Sequence, residues 1–550
     1  MSDLSKSTPI LSNWVWGFLW AALVGSALFL RPILPIDETR YMSVAWEMWL
    51  RGDYLVPHLN GTAYSHKPPL LFWLINAGWA IFGVNDFWPR IIAPLFGLGC
   101  LAMTSLLGRR LYPKSSAYFL APLLLVGCYY WGLYTTLTMF DLILAFWSLV
   151  GIYGLILVWK GTRWLGWTIF GCSIGLGVLS KGPVILIFLL PSAIFGPYWA
   201  TTHDTYSWHK WYIGLLGGVL LGAIISLSWA IPAGEAGGPS YRDAILWGQS
   251  AGRVAQSFAH KKPFWWYFTI LPVLILPWII WPTLLRKLWK SIIEFRSNEI
   301  WRTDPNIRHL LVWLLSPLLV LSLISGKQPH YLLPLFPTLA LGASAMLSKL
   351  TDIEIVRGRW DLAPIAILVN FCGVIIILNP VITTAVGMPE YSDAISQLWS
   401  IPLIVSGLSL LLKPPVNVIN RVISISAISF ISVLTAHGLA QPRLHTAYDL
   451  KPLAQMLRKA QIEGYTVANM DKYHGQYNFL GRLTKPIVFT DSKLLAGWLR
   501  DNPKSKIVSY HYSSPEKNYP EYFQTFRGRY IAIWNGASLR KNPKIAFREN

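Results

Sequence analysis

The sequence predicts a mainly α fold: a polytopic transmembrane helical bundle of about 13 spans, with interfacial amphipathic helices and a small external α/β domain at the C terminus. Three observations lead there. Of 550 residues, 53% are drawn from AVILMFWYC and only 13% are charged, roughly half the usual charged share, and the mean hydropathy is +0.42. Tryptophan contributes 29 residues, a surplus expected where indole rings anchor many segment ends at the two membrane interfaces. From residue 445 onward the composition turns polar and β-rich. Such a chain is neither disordered nor an ordinary soluble enzyme.

Apolar stretches long enough to cross a hydrocarbon core lie near 12–34, 89–108, 116–134, 138–158, 164–180, 182–200, 212–232, 264–285, 309–325, 331–348, 362–382, 400–412 and 419–438. The first is preceded by Lys6 and followed by Arg31-Pro32 without a small-residue cleavage site, so it reads as a retained anchor. An odd number of spans puts the termini on opposite sides. Alternate connections hold Arg109, Arg110, Lys114, then Lys160, Arg163, then Lys210, then Arg286, Lys287, Lys290, Arg296, Arg302 and Arg308. Those face the cytoplasm by the positive-inside rule, and the C terminus is then external. The net charge of +21 suits anionic headgroups or phosphorylated substrates; no nucleic-acid motif accompanies it. Cys100, Cys128, Cys172 and Cys372 fall in or beside apolar runs, where thiols pack rather than form a disulfide or zinc framework.

Residues 1–440 form the membrane domain, with long external loops at 35–88 and 233–263, and residues 441–550 form a soluble external domain. In the first loop, Tyr41, Val44, Ala45, Met48 and Trp49 recur at helical spacing after Asp37-Glu38, the pattern of an amphipathic helix lying in the interface. Lys67-Pro68-Pro69 ends one element and starts another at Leu70. Asn60-Gly61-Thr62 matches a glycosylation sequon and equally a turn. In the last domain, strands expected at 465–469, 486–490, 506–510 and 529–534 alternate with helices at 450–462 and 494–500. The 17 Lys and Arg against 8 Asp and Glu of residues 445–550 make it basic, as an accessory domain beside an anionic leaflet would be.

Ionisable groups beside apolar spans are costly, so each needs a reason. They gather on the external side: Asp37-Glu38 with Arg40; His66-Lys67-Pro68-Pro69; Asp141; Ser180-Lys181-Gly182-Pro183; Arg253; His260-Lys261-Lys262-Pro263-Phe264-Trp265; and Lys327-Gln328-Pro329-His330-Tyr331. In order and in common side this pattern resembles the GT-C superfamily of integral-membrane glycosyltransferases. The likeness is to its bacterial polyprenyl-phosphate-sugar-dependent branch of protein mannosyltransferases and lipid A aminoarabinose transferases.

That resemblance implies Asp37 and Asp141 as the catalytic carboxylates. Asp37 is the base that would activate an attacking hydroxyl, although an aspartate at a helix start is also a good N-cap; Glu38 is a poorer motif position. Lys67 would bind the donor phosphate and stabilise its charge as it departs, where the plainer alternative is a snorkelling interfacial lysine. Arg253, Lys181 and Tyr331 are assigned to the same phosphate, and Arg40, His66, Lys327 and His330 are further substrate-binding candidates. The aminoarabinose transferases have an acidic residue just before the Lys-Pro-Pro lysine and a histidine before the Arg253 equivalent. Here those places hold His66 and Gly248. No cofactor is required; a divalent metal would find only His66 and His260, and two histidines on separate loops are more often hydrogen-bonded surface groups.

The expected activity is transfer of one sugar from a polyprenyl-phosphate donor to lipid A, another lipid-linked acceptor or a polysaccharide, with inversion, at the outer face of a bacterial inner membrane. The rivals are a lipid or sugar transporter or flippase, a protein O-glycosyltransferase, and a non-catalytic scaffold. What separates them is whether Asp37, Lys67, Asp141 and Arg253 meet around one pocket.

Overall fold

The computed structural model of the protein describes residues 10–201, 207–248, 260–297, 303–350, 359–386 and 396–547. Helices run from α1 (Ile10–Leu30) and α2 (Asp37–Arg51) through α3 (Leu70–Phe82), α4 (Phe87–Leu111), α5 (Ala117–Val126) and α6 (Tyr129–Thr135). Next come α7 (Asp141–Trp159), α8 (Arg163–Lys181), α9 (Ile185–Ile194), α10 (Gly196–Trp199), α11 (Trp208–Gly237), α12 (Pro239–Asp243) and α13 (Trp266–Leu274). The bundle closes with α14 (Pro282–Ser297), α15 (Pro305–Leu323), α16 (Phe336–Leu347), α17 (Ala363–Ala385), α18 (Ser400–Leu412) and α19 (Val418–Tyr448).

All thirteen expected apolar stretches fall on these helices, and the chain is a multi-pass membrane protein. Among the described residues, seven helical segments are long and apolar enough to cross a membrane, or eight if the bent pair α5 and α6 is one span. Others, such as α9 and α18, are apolar but shorter than the roughly 20 residues a hydrocarbon core needs. Thirteen therefore stays an expectation.

The hairpin of α7 and α8 sets the geometry that matters most. Near its turn, a Cβ on Gly154 would lie 2.7 Å from the Gly166 carbonyl, and one on Gly166 would lie 2.6 Å from the Gly154 carbonyl. Only glycine allows the two backbones to approach so closely, as small residues do between membrane helices. The antiparallel pair then brings the first residue of α7, Asp141, beside the last of α8, Lys181. Gly182 follows with φ of 84°, a left-handed conformation that lets the chain turn away at once.

The tail adds α20 (Lys451–Ile462), α21 (Leu495–Asp501) and α22 (Gly536–Lys541) to a mixed sheet. After a small loop ribbon of β1 (His58–Leu59) and β2 (Thr62–Ala63) come β3 (Thr466–Asn469), β4 (Val488–Phe489), β5 (Ser505–His511), β6 (Tyr522–Phe526) and β7 (Arg529–Asn535). The sheet order is β4-β3-β5-β7-β6, with β4, β3 and β5 parallel and β7 and β6 antiparallel. Every residue of β5 is buried, as expected of a central strand covered on both faces. Strand β6 was not among the expected strands. It joins β7 through Arg527-Gly528 with φ of 52° and 76°, the two positive values of a tight two-residue hairpin turn.

Helix α2 is also a packing element: residues 38–39 and 41–48 are all buried, because the tail packs over it. One hydrophobic core runs through α2, α3, the start of α7 and the tail, including Tyr41, Leu71, Phe140, Leu453 and Ile533. Trp79 stacks on Phe479 at 5.2 Å. Polar contacts fix the register: Ser43 Oγ donates to the Gly475 carbonyl at 2.5 Å and Trp46 Nε1 to that of Leu483 at 2.9 Å. Asn60 settles the sequon in favour of structure, since its amide donates to the Ile487 carbonyl and accepts from the Ile487 amide, both at 2.8 Å.

Candidate active site

The chemistry gathers at the end of the bundle that carries the tail. Asp37 opens α2, yet its side chain caps no backbone N–H there, so the capping explanation falls away. Instead its carboxylate pairs with Arg40 and accepts from Tyr41 Oη at 3.3 Å. Burial and the neighbouring Asp37 push the Tyr41 phenol well above its ordinary value, so it stays a donor. The Asp37 side chain remains 48% exposed. It is the accessible acid of the cluster.

Asp141 is built differently, although it too opens its helix without capping it. Only 2% exposed, it forms an ion pair with Lys181 and accepts from Tyr134 Oη at 3.1 Å. A carboxylate so enclosed, with each oxygen already facing a donor, is shut off from an incoming acceptor, so its geometry fits holding Lys181 and Tyr134 in place better than acting as a base. Lys181 in turn lies 4.8 Å over the Tyr331 ring. Its position suits a cation shared between Asp141 and a ligand rather than one engaged by phosphate alone.

Around this pair stand the other expected groups. Lys67 Nζ is 5.5 Å from the centroid of Phe140, a cation–π distance, and within electrostatic reach of Asp141. His330 stacks on Tyr134 at 5.5 Å and meets Tyr331 edge-on at 4.8 Å; Asp141, Lys181, Lys67 and Asp37 all act on it. His66 is exposed, its ring 5.3 Å from that of Tyr64.

Two expected residues lie elsewhere, and one falls outside the described residues. Lys327 is 3% exposed, and its ammonium donates to the carbonyls of Lys262 at 3.0 Å and Ile324 at 2.6 Å. It ties two loops together instead of facing ligand, because a cation between two loops with carbonyls pointing inward is captured by them. His260 is exposed, with φ of 62°, and its carbonyl accepts from the Lys327 amide. Arg253 lies outside the described residues. Among the described residues no group of three or more His, Cys, Asp or Glu could hold a metal ion. Both acids of the cluster already face cations, so this donor set does not fit a divalent metal.

Beneath the site runs a network that the sequence pattern underweighted. Glu38, 2% exposed, accepts from Arg31 through both oxygens at 2.6 and 3.0 Å, from the Leu34 amide at 2.8 Å and from the Thr138 amide at 2.7 Å. Arg31 also donates to the Thr136 carbonyl. Arg90 closes the end of α1 by donating to the carbonyls of Ala27, Leu28 and Arg31 at 3.0, 3.0 and 2.9 Å, the orphan acceptors of a helix terminus. Glu38 thus locks the start of α2 to the 136–138 segment, three residues before Asp141. The tail contributes His474, which the sequence reading missed. Burial and Arg40 push its imidazole below the ordinary value, and Asp37 acts on it as well.

The comparisons with known proteins concern this same framework. Residues 66–229 match the family model described as dolichyl-phosphate-mannose-protein mannosyltransferase, a stretch holding Lys67, Asp141 and Lys181. The undecaprenyl phosphate-alpha-4-amino-4-deoxy-L-arabinose arabinosyl transferase of Pseudomonas paraeruginosa is 34% identical over 337 residues, 58% of this chain and 56% of the relative. The match thus spans little more than half the relative's length. The crystal structure of ArnT from Cupriavidus metallidurans bound to undecaprenyl phosphate superposes with a TM-score of 0.73 at 18% identity, covering 95% of this chain and 97% of that one. Its apo state gives 0.75 at 16% identity, covering 98% and 100%. Such likeness across the whole chain fixes the fold as that of the two ArnT structures, and the matched family domain, residues 66–229, lies within it.

Proposed function

We propose that the protein is an inverting glycosyltransferase that moves a single sugar, 4-amino-4-deoxy-L-arabinose, from a polyprenyl-phosphate donor to lipid A at the outer face of a bacterial inner membrane. The observation that carries this reading is the convergence of a half-exposed acid, Asp37, with Lys67, Lys181, His330 and Tyr331 at one end of the bundle. The names of the curated relative and the solved structure support the choice of sugar and carrier lipid.

In the reaction an acceptor oxygen attacks the anomeric carbon while the bond from that carbon to the phosphate oxygen breaks. The electron pair leaves with the polyprenyl phosphate, and the anomeric configuration inverts. Lys67 is placed to take up the charge that grows on the phosphate, which is where a preorganised cation lowers a barrier. Lys181, held by Asp141 and Tyr331, supplies a second cation. Lys67→Ala is expected to lower turnover on the order of 10²–10³, the loss that follows removal of one such stabiliser. Lys67→Arg should restore it incompletely, since a planar fork does not replace a compact ammonium. Both are read by mass spectrometry of lipid A incubated with purified lipid-linked aminoarabinose; a wild-type rate in Lys67→Ala removes the lysine from the phosphate site.

The matched family model is described for protein mannosyltransfer, so a peptide acceptor with a mannosyl donor belongs in the same assay. Product there and none on lipid A would replace the proposed acceptor. Sidedness follows from the cation bias of the connections. Reporter fusions at residues 160 and 440 are expected to give cytoplasmic and external signals respectively; the reverse pattern would put the cluster on the wrong face.

A further inference from the structure

One turn of the tail, residues 473–476, sits against the helix that carries Asp37. On α2, Ser43 lies one helical turn beyond Arg40, so the two side chains are neighbours. The Ser43 hydroxyl donates to the Gly475 carbonyl at 2.5 Å and accepts from the Phe479 amide at 3.0 Å. Gly475 has φ of 75°, and a Cβ there would collide with Leu59, so glycine is what lets the backbone come this near. On its other side the turn is tied to the central strand β5. The His474 amide donates to Gln476 Oε1 at 2.9 Å, and Gln476 Nε2 donates to Tyr510 Oη at 3.1 Å. His474 is thereby held beside Arg40, the partner of Asp37.

The backbone of His474 is fixed and its ring is not engaged. The residue is half-buried, and among the described residues neither ring nitrogen has a hydrogen-bond partner. The charges that face it are Arg40 and Lys472 on one hand and Asp471 and Asp37 on the other; burial, with the two cations, holds the imidazole below its ordinary value. Near neutral pH the ring is therefore uncharged, with one N–H to donate and one nitrogen to accept. The two histidines of the site stand differently around Asp37. Asp141, Lys181 and Lys67 reach His330, Arg40 and Lys472 reach His474, and Asp37 reaches both. In an inverting displacement the incoming and outgoing groups occupy opposite faces of the anomeric carbon. With Lys67 and Lys181 on the departing phosphate, the donors left for the incoming group are Arg40 and His474.

We propose that His474 is an acceptor-binding residue which the tail contributes to the active site, its ring N–H donating to a phosphate oxygen of the acceptor beside Arg40. The inference rests on the proposed transfer to lipid A. A phosphate acceptor is already ionised and needs to be held at the Asp37 side of the sugar more than it needs a base, which an uncharged donor on a fixed turn supplies. The tail is then part of the catalytic centre and not only its cover.

The test uses the full chain purified in detergent. Binding of lipid A, with its phosphates and after enzymatic dephosphorylation, is measured by thermophoresis, and transfer to the phosphorylated form is followed at steady state. His474→Ala should weaken binding of phosphorylated lipid A and raise its KM about 10- to 100-fold, the contribution of one hydrogen bond to a charged group, with kcat little changed and undecaprenyl phosphate binding intact. His474→Gln, which keeps an N–H donor, should recover part of the loss. On dephosphorylated lipid A, wild type and both variants should bind alike. An unchanged KM and affinity in His474→Ala, a loss equal on the two forms of lipid A, or a loss of undecaprenyl phosphate binding would each overturn the proposal. Failure of the proposed reaction reads differently: wild type then yields no product, while the binding arm still decides on His474, since a phosphate-dependent loss keeps the site and its absence removes it. If His474→Ala does not fold, His474→Phe, which fills the space without a donor, takes its place.

Discussion

Asp37→Asn is expected to lower turnover on a hydroxyl acceptor by roughly 10²–10⁴, the usual contribution of a positioned general base. The expectation rests on the contrast between the two acids. Asp141 is enclosed and its oxygens are engaged by Lys181 and Tyr134, whereas Asp37 keeps nearly half its side chain open. Asparagine preserves the shape and the Tyr41 contact but cannot accept the proton. A phosphate acceptor brings no proton to remove. On it the same variant should shift KM and kcat together, because Asp37 would then act through its pairing with Arg40. Steady-state kinetics on both acceptors, with donor binding measured separately, distinguish the two roles. Full activity on both, in protein shown to be folded, removes Asp37 from the mechanism.

Glu38→Gln is expected to cost about 3–5 kcal/mol of stability, the range for breaking a buried ion pair from one side. Glutamine leaves Arg31 charged at 2% exposure and offers one acceptor oxygen where four donors now converge. The double variant Arg31→Met, Glu38→Leu should recover part of the loss, since neither charge is then stranded. Thermal unfolding in detergent gives the comparison, and equal melting of wild type and Glu38→Gln would show that the pair carries little. The pH dependence has a definite sign. Burial raises the Glu38 carboxyl, but Arg31 and the Leu34 and Thr138 amides outweigh it and hold the group below its ordinary value. Its contribution is therefore complete at neutral pH and is lost as pH falls through that lowered value, beneath the ordinary glutamate pKa of about 4.3.

Much of this was legible in the chain, and the remainder has physical reasons. Helical stretches and the tail strands at 466–469 and 505–511 announce themselves through apolar runs and β-branched residues. Asp37, Lys67, Asp141, Lys181, His330 and Tyr331 stood out because ionisable or polar groups beside spans are costly. Tyr41 and Tyr134 did not, since a tyrosine at a core position looks like any other large apolar residue until its hydroxyl finds a carboxylate. Glu38 was ranked low as a poorer motif position, and its partner Arg31 reads in the sequence as an ordinary charge flanking a span. His474 reaches Arg40 and Asp37 from more than 430 positions downstream, where no local pattern signals it. Lys327 shows the opposite error: a motif-like lysine whose ammonium belongs to two backbone carbonyls.

The contacts between α2 and the tail also impose a timetable on biosynthesis. Ser43, Trp46 and Asn60 leave the ribosome early, yet their partners Gly475, Leu483 and Ile487 emerge 432, 437 and 427 residues later. Pairings at such separation close only after the intervening chain has been inserted. The helix that bears Asp37 therefore waits for its cover until nearly the whole polypeptide has been made, and a nascent chain carrying every membrane segment still lacks the contacts that hold that helix in place.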